Sequence, residues 1–190
     1  MTSLDVSENR IGPDGAIAIA DAFDTLPNFR SLDIRRNFIE DGGAIAIAQK
    51  LTDLTSLNIS DNKIGPLGVD AIAKTLKNLT SLDGNENQIG LDGAMAIANL
   101  TKLKSLNIAG NSSFRAIKIG PEGARLIAEN LTNLTSLNIS LNKIRNIGAI
   151  AIAKNLTNLK SLDVSYNDIR PEGAIAIAKN LTNLKSLDVS

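Results

Sequence analysis

The sequence contains no cysteine, no histidine and no tryptophan, and only one tyrosine and four phenylalanines among its 190 residues. Without cysteine there are no disulfides, no thiolate metal sites and no cysteine nucleophile. Without histidine the commonest general base and the commonest zinc ligand are gone. Aromatic residues make up 3% of the chain and hydrophobic residues 43%. A core must therefore be aliphatic, and a chain of this length has enough Leu, Ile, Ala and Val to bury one. No apolar run approaches the length of a membrane span. The opening MTSLDVSENRIG lacks a basic start followed by an apolar stretch. No secretory signal is expected from it.

There is also no net charge, but the balance is uneven. Residues 1–95 hold 14 acidic and 8 basic side chains, and residues 96–190 hold 6 acidic and 12 basic. One half is acidic and the other basic.

What the chain has in abundance is repetition. GAIAIAKNLTNLKSLDVS occupies 148–165 and returns letter for letter at 173–190. Variants run along the whole length, with the core Leu-x-Ile/Val-x-x-Asn-x-Ile followed, in its fullest form, by Gly-Pro-x-Gly-Ala. The strand leucines are Leu4, Leu32, Leu57, Leu82, Leu106, Leu137, Leu162 and Leu187, at intervals of 28, 25, 25, 24, 31, 25 and 25 residues. An asparagine follows five residues after each of the first seven: Asn9, Asn37, Asn62, Asn87, Asn111, Asn142 and Asn167.

Each unit opens with a short strand such as 56–60, where alternation turns Leu57 and Ile59 inward and Ser56, Asn58 and Ser60 outward. The asparagine then sits at a tight turn, where its amide can satisfy backbone groups the turn leaves unpaired. Stacked copies would make a ladder of such bonds. Glycine and proline break the strand, and Pro66 or Pro121 suits the start of a helix. Ala-Ile-Ala-Ile-Ala reads equally well as strand, but the variant 68–79 decides for helix. There Val69, Ile72, Ala73, Leu76 and Leu79 fall on one helical face, and 123–134 keeps that face. A strand–turn–helix unit cannot bury its apolar face alone, whereas stacked units bury a continuous core between a parallel sheet and a row of helices. Strands neighbour every ~4.8 Å and helices every ~8–10 Å, so the stack bends with its strands on the inner face.

These motifs resemble the leucine-rich repeat family over essentially all of the chain. The helical repeats resemble its ribonuclease-inhibitor-like class. The segments GAIAIA at 15–20, 43–48, 148–153 and 173–178 are similar to the bacterial GALA-type subgroup, with Ile where that motif has Leu. The resemblance implies an α/β solenoid, a curved horseshoe with a parallel β-sheet on the concave face and α-helices on the convex face. It implies a single domain over 1–190, of about seven full repeats and a terminal strand. It also implies a protein-binding role, and some bacterial relatives are effectors delivered into host cells. GALA-type proteins carry an F-box; no F-box-like segment fits here, so a ubiquitin-ligase role is not carried over. A cytoplasmic location, or a host cytosol for an effector, is the corresponding expectation.

Enzymatic readings find little support. The serine column beside the strand leucines has no histidine to activate it. The Gly-Pro-x-Gly turns lack the Gly-Lys-Ser/Thr of a phosphate loop. No catalysis, metal or cofactor is expected, and no nucleic-acid or membrane partner.

The inner face carries Asp5, Asp33, Asp83, Asp163 and Asp188, and just downstream lie Glu8, Asp61 and Glu86. Only Arg35 and Arg36 oppose these eight carboxylates. Two readings stand: a dock for a basic protein partner, or small polar residues that repeat with the unit and are solvated. Asp33, Arg35, Arg36, Asp61, Asp83 and Glu86 are the candidate contacts on this face, with Tyr166 about five repeats away from Arg36. The long 31-residue interval inserts roughly six residues after Asn111, placing Phe114 and Arg115 on a rim loop as further candidates. On the helices, Ile17, Ile45, Asp70, Met95, Arg125, Ile150 and Ile175 form one column expected to face water. Its isoleucines are either ordinary surface scatter or a surface for self-association. Homo-association through the convex face or through the ends of the sheet is a further expectation.

Overall fold

The computed structural model describes residues 1–110 and 117–190. Fifteen elements alternate along it: β1 (Ser3–Asp5), α1 (Gly12–Phe23), β2 (Ser31–Asp33), α2 (Glu40–Lys50), β3 (Ser56–Asn58), α3 (Pro66–Thr75), β4 (Ser81–Asp83), α4 (Gly90–Ile97), β5 (Ser105–Asn107), α5 (Gly120–Asn130), β6 (Ser136–Asn138), α6 (Arg145–Asn155), β7 (Ser161–Asp163), α7 (Pro171–Asn180) and β8 (Ser186–Asp188). The eight strands form one parallel sheet in sequence order among the described residues. Serine aligns with serine and leucine with leucine from each strand to the next. The fold is therefore the stacked strand–turn–helix array expected from the periodicity, and the α/β solenoid that the resemblance to leucine-rich repeats implies. Side chains of β4 to β8 together line a concavity of 510 Å³, which makes the sheet the inner face.

The core is aliphatic throughout. Leu32, Leu57, Leu82, Leu106, Leu137 and Leu162 of the strands and Ile47, Ile72, Ile97, Ile127 and Ile152 of the helices are all buried in one cluster. Burying each such side chain stabilises the fold by roughly 1.5–3 kcal/mol before the entropy of ordering it is counted. The helix-opening Gly-Ala pair has a packing reason. A β-carbon on Gly43 would lie 2.8 Å from the β-carbon of Ala16 on the preceding helix. Glycine in one helix over alanine in the last lets the two backbones approach closely.

The helices are shorter than the apolar pattern suggests. α3 ends at Thr75, Leu76 is its C-cap, and Leu79 is buried from the turn beyond. The apolar phase continues past the helix because a tight turn, with Leu79 N–H donating to the Leu76 carbonyl at 3.2 Å, returns the chain to the same side.

The asparagine ladder is present. Asn62 is fully buried. Its Nδ2 donates to the carbonyls of Ile34, Ile59 and Ser60, each at 3.0 Å. Its Oδ1 accepts from the N–H groups of Asn37 at 2.9 Å and Ile39 at 3.3 Å. Asn37, Asn87, Asn142 and Asn167 repeat this arrangement.

A feature absent from the sequence reading governs how the helices begin. In α1, α2, α4, α5 and α6 the first residue is left-handed: Gly12, Glu40, Gly90, Gly120 and Arg145, with φ between 54° and 69°. Where the acceptor is described, its N–H reaches forward to the carbonyl of the next ladder asparagine, as Glu40 does to Asn62 at 3.0 Å. α3 and α7 start differently. Gly65 and Arg170 are extended, and their N–H groups donate backward, to Asp41 Oδ1 at 2.8 Å and Asn146 Oδ1 at 2.9 Å. Asp41 also accepts from Gly68 N–H at 2.9 Å and Asn146 from Gly173 N–H at 3.3 Å. Each of these two helices is thus capped by the preceding repeat. The repeats that precede the other helices carry Pro13, Pro66, Leu91 or Pro121 at that place, none of which has a side-chain acceptor.

Candidate functional site

The site is built from the turns that follow the strands. At each strand end an Asp or Asn side chain accepts from the N–H two residues on: Asp33 from Arg35 at 3.1 Å, Asn58 from Ser60 at 3.1 Å, Asp83 from Asn85 at 3.2 Å. The other carboxylate oxygens of Asp33 and Asp83 accept from the amides of Asn58 and Asn107, each at 3.1 Å. The aspartates of the inner face therefore brace the sheet as well as charge it. Next in the chain, just before Asn9, Asn37, Asn62, Asn87, Asn142 and Asn167, comes a left-handed residue: Glu8, Arg36, Asp61, Glu86, Leu141 and Tyr166. This conformation carries strain for a non-glycine residue. It swings the side chain out onto the rim.

Over the first four repeats these two sets of residues converge. Glu8, Arg35, Arg36, Asp61, Asp83 and Glu86, with Asn58, Ser60 and Asn85, line a shallow groove of 320 Å³. Arg36 bridges two repeats, 3.3 Å from Glu8 and 3.5 Å from Asp61. Arg35 lies 3.4 Å from Asp33. Both arginines are thus engaged, and the carboxylates outnumber them. The same strand-end turn has opposite effects on acidity. At exposed Asp5 and Asp188 the N–H groups of Ser7 and Ser190 hold the carboxyls below their usual value. At Asp83 burial outweighs the hydrogen bonds from Asn85 and Asn107 and pushes the carboxyl up.

The structure therefore gathers Asp33, Arg35, Arg36, Asp61, Asp83 and Glu86 on one stretch of the inner face. Tyr166 stands in the same rim column but far along it, 69% exposed and outside the groove. Phe114 and Arg115 lie outside the described residues. Sequence reasoning missed Phe38, an exposed ring one residue beyond Asn37, with the Lys63 Nζ 4.8 Å from its centroid. An aromatic residue in a turn column otherwise held by polar side chains was the available signal. In the helix column, Ile17, Met95, Ile150 and Ile175 are exposed, while Ile45 is half-buried. No group of three or more acidic side chains among the described residues is placed to hold a metal. No helix there is long and apolar enough to cross a membrane.

A family profile described as Leucine Rich repeat matches residues 1–20, 25–48, 50–73, 75–98, 130–153 and 155–178. The chain belongs to the leucine-rich repeat family. Proteins of this family generally mediate protein–protein interactions. An internalin, inlF, from Listeria monocytogenes superposes with a TM-score of 0.74 at 28% identity, covering 100% of this chain. The chain spans about half that protein, 48% of its length. The C-terminal domain of tropomodulin from Caenorhabditis elegans superposes over 70% of this chain and 83% of its own, with a TM-score of 0.54 at 14% identity, a likeness of fold. No curated protein matches the chain.

Proposed function

We propose that this leucine-rich-repeat chain is a non-enzymatic interaction module whose inner groove receives a basic, extended segment of a partner protein. The observation that carries the reading is the groove's excess of carboxylates over arginines, in repeats one to four, on the face where side chains from neighbouring units converge. Family membership supports a binding role, and the likeness to an internalin supports a bacterial setting. The helical repeats and their GAIAIA segments keep the ribonuclease-inhibitor-like, GALA-type reading, and with it delivery as an effector, within this proposal. A second reading, a repeat scaffold that self-associates, is favoured by one observation: Ile17, Met95, Ile150 and Ile175 are exposed in one column on the helices.

The test is calorimetric titration with a capped peptide of alternating lysine and serine. The parent should bind, and binding should weaken steeply with salt because exposed charges are screened beyond ~10 Å at 0.1 M. Asp61→Lys/Glu86→Lys should abolish binding, while Tyr166→Ala should leave it unchanged. Equal binding by the charge-reversed variant would refute the groove.

A further inference from the structure

We propose that the rim formed by the openings of α6 and α7 is a second binding site, of opposite sign to the groove, for a peptide segment carrying a single carboxylate beside an apolar side chain. Arg145, Asn146, Ile147, Asp168, Ile169 and Arg170 line a concavity of 710 Å³ there, larger than the acidic groove. Its two guanidiniums form no salt bridge with a described residue, whereas Arg30, Arg35, Arg36 and Arg125 are each paired with a carboxylate. Two unengaged guanidinium forks in adjacent repeats are suited to bidentate recognition of a carboxylate.

The array itself marks the place. Arg145 and Arg170 occupy the column that holds glycine at 12, 65, 90 and 120. Arg145 adopts φ 56°, a conformation glycine takes without cost. Only here do neighbouring repeats put arginines in that column. The remaining polar groups are already spent. Asn146 uses its oxygen to cap α7 and its Nδ2 to hold Glu172 at 2.9 Å. Asp168 is the one acidic lining residue, so the lining carries one net positive charge, which matches one carboxylate better than a phosphate dianion. Ile147 is 62% exposed on the wall and offers apolar surface for a flanking side chain to cover. The site shares no residue with the acidic groove and does not depend on it.

The experiment is an amide NMR titration with a capped Leu-Glu-Leu peptide, with capped Leu-Gln-Leu and inorganic phosphate as separate arms. Arg145→Gly/Arg170→Gly restores the residue the array uses elsewhere and should fold as the parent does. Lys154→Gln/Lys179→Gln removes the same charge from the helices. The glutamate peptide should shift the amides of 145–147 and 168–170 saturably in the parent and in the lysine variant. The arginine variant should lose at least about tenfold in affinity, the cost of two charge-assisted contacts. Equal affinity in the arginine variant, no saturable shift in the parent, equal binding of the glutamine peptide, or tighter binding of phosphate would each overturn the proposal.

Discussion

Asn62 satisfies five backbone groups of two repeats from a site closed to water, whereas Asn9, doing part of the same work, is exposed and donates only to Val6 and Ser7. Truncation should therefore cost very different amounts. Asn62→Ala leaves several buried donors and acceptors unpaired, each worth roughly 1–3 kcal/mol. We expect about 3 kcal/mol of lost stability by urea unfolding for Asn62→Ala, and under about 1 kcal/mol for Asn9→Ala, where water replaces the amide. Similar costs at both positions would contradict the ladder's dependence on burial. Asp83 supplies a pH test. Its folded-state carboxyl is raised above the usual value of 3.8 by burial. The protonated form is thus favoured in the folded chain, and stability contributed by that proton is full below the unfolded value and lost as pH rises through the folded one. Asp83→Asn forfeits the bond from Asn107 at every pH. Even so, its stability relative to the parent should climb as pH rises from about 3.8 through the raised folded-state value. A flat difference across that range would show that burial does not govern this carboxyl. The ladder was legible because asparagine recurs at a fixed offset from leucine. The second duty of Asp33 and Asp83, bracing the turn two residues on, was not, because a charge on an inner face looks the same whether or not it is bonded.

Helices in this chain begin in two ways, and the choice is made one repeat earlier. Asp41 and Asn146 each cap the following helix, which then starts from an extended residue before Pro66 or Pro171. Losing an N-terminal cap costs about 1 kcal/mol. Asp41→Ala should destabilise by that amount, and amide exchange should quicken at Gly65, just before α3, and at Gly68 within it more than at any amide of α2 itself. Exchange that quickens first in α2 would mean the side chain serves its own helix. Sequence periodicity identified the helices but misplaced their ends. Leu76 and Leu79 keep the helical spacing although one caps the helix and the other lies in the turn. An apolar phase reports which side of the chain is buried, and a tight turn preserves that side as well as a helix does. The capping between repeats was invisible for a related reason. It joins residues 24 and 27 apart, beyond the reach of any local signature.

Across the whole molecule, each helix lies against the next helix and each strand against the next strand, with no such approach between units further apart among the described residues. Stability then sums over units and their neighbours. The strand leucines of interior repeats carry much of it, and Leu106→Ala should cost about 3 kcal/mol. Hydrogen exchange read by mass spectrometry should be slowest in β3 to β6 and fastest in β1 and β8, since β8 is exposed along its length. Uniform protection across the eight strands would indicate all-or-none behaviour instead. The architecture was readable at this scale because one motif recurs throughout the chain. The acidic groove was readable in its residue types, since Asp33, Arg35, Arg36, Asp61, Asp83 and Glu86 all stand on the inner face. The basic rim was not, because Arg145 and Arg170 look like ordinary surface charges until the fold sets them on the wall of one cavity. Near-identical repeats also raise a question of order, since a unit could in principle exchange places with its neighbour and find the same leucines and the same ladder. Capping from one repeat to the next removes that freedom at two junctions. A repeat carrying Asp41 or Asn146 at its helix opening fits a successor whose helix opens extended, and a repeat carrying proline there fits a successor that opens left-handed. Shuffling units across those junctions would mate a cap with no helix to receive it, so the chain carries, inside a monotonous text, two words whose sequence matters.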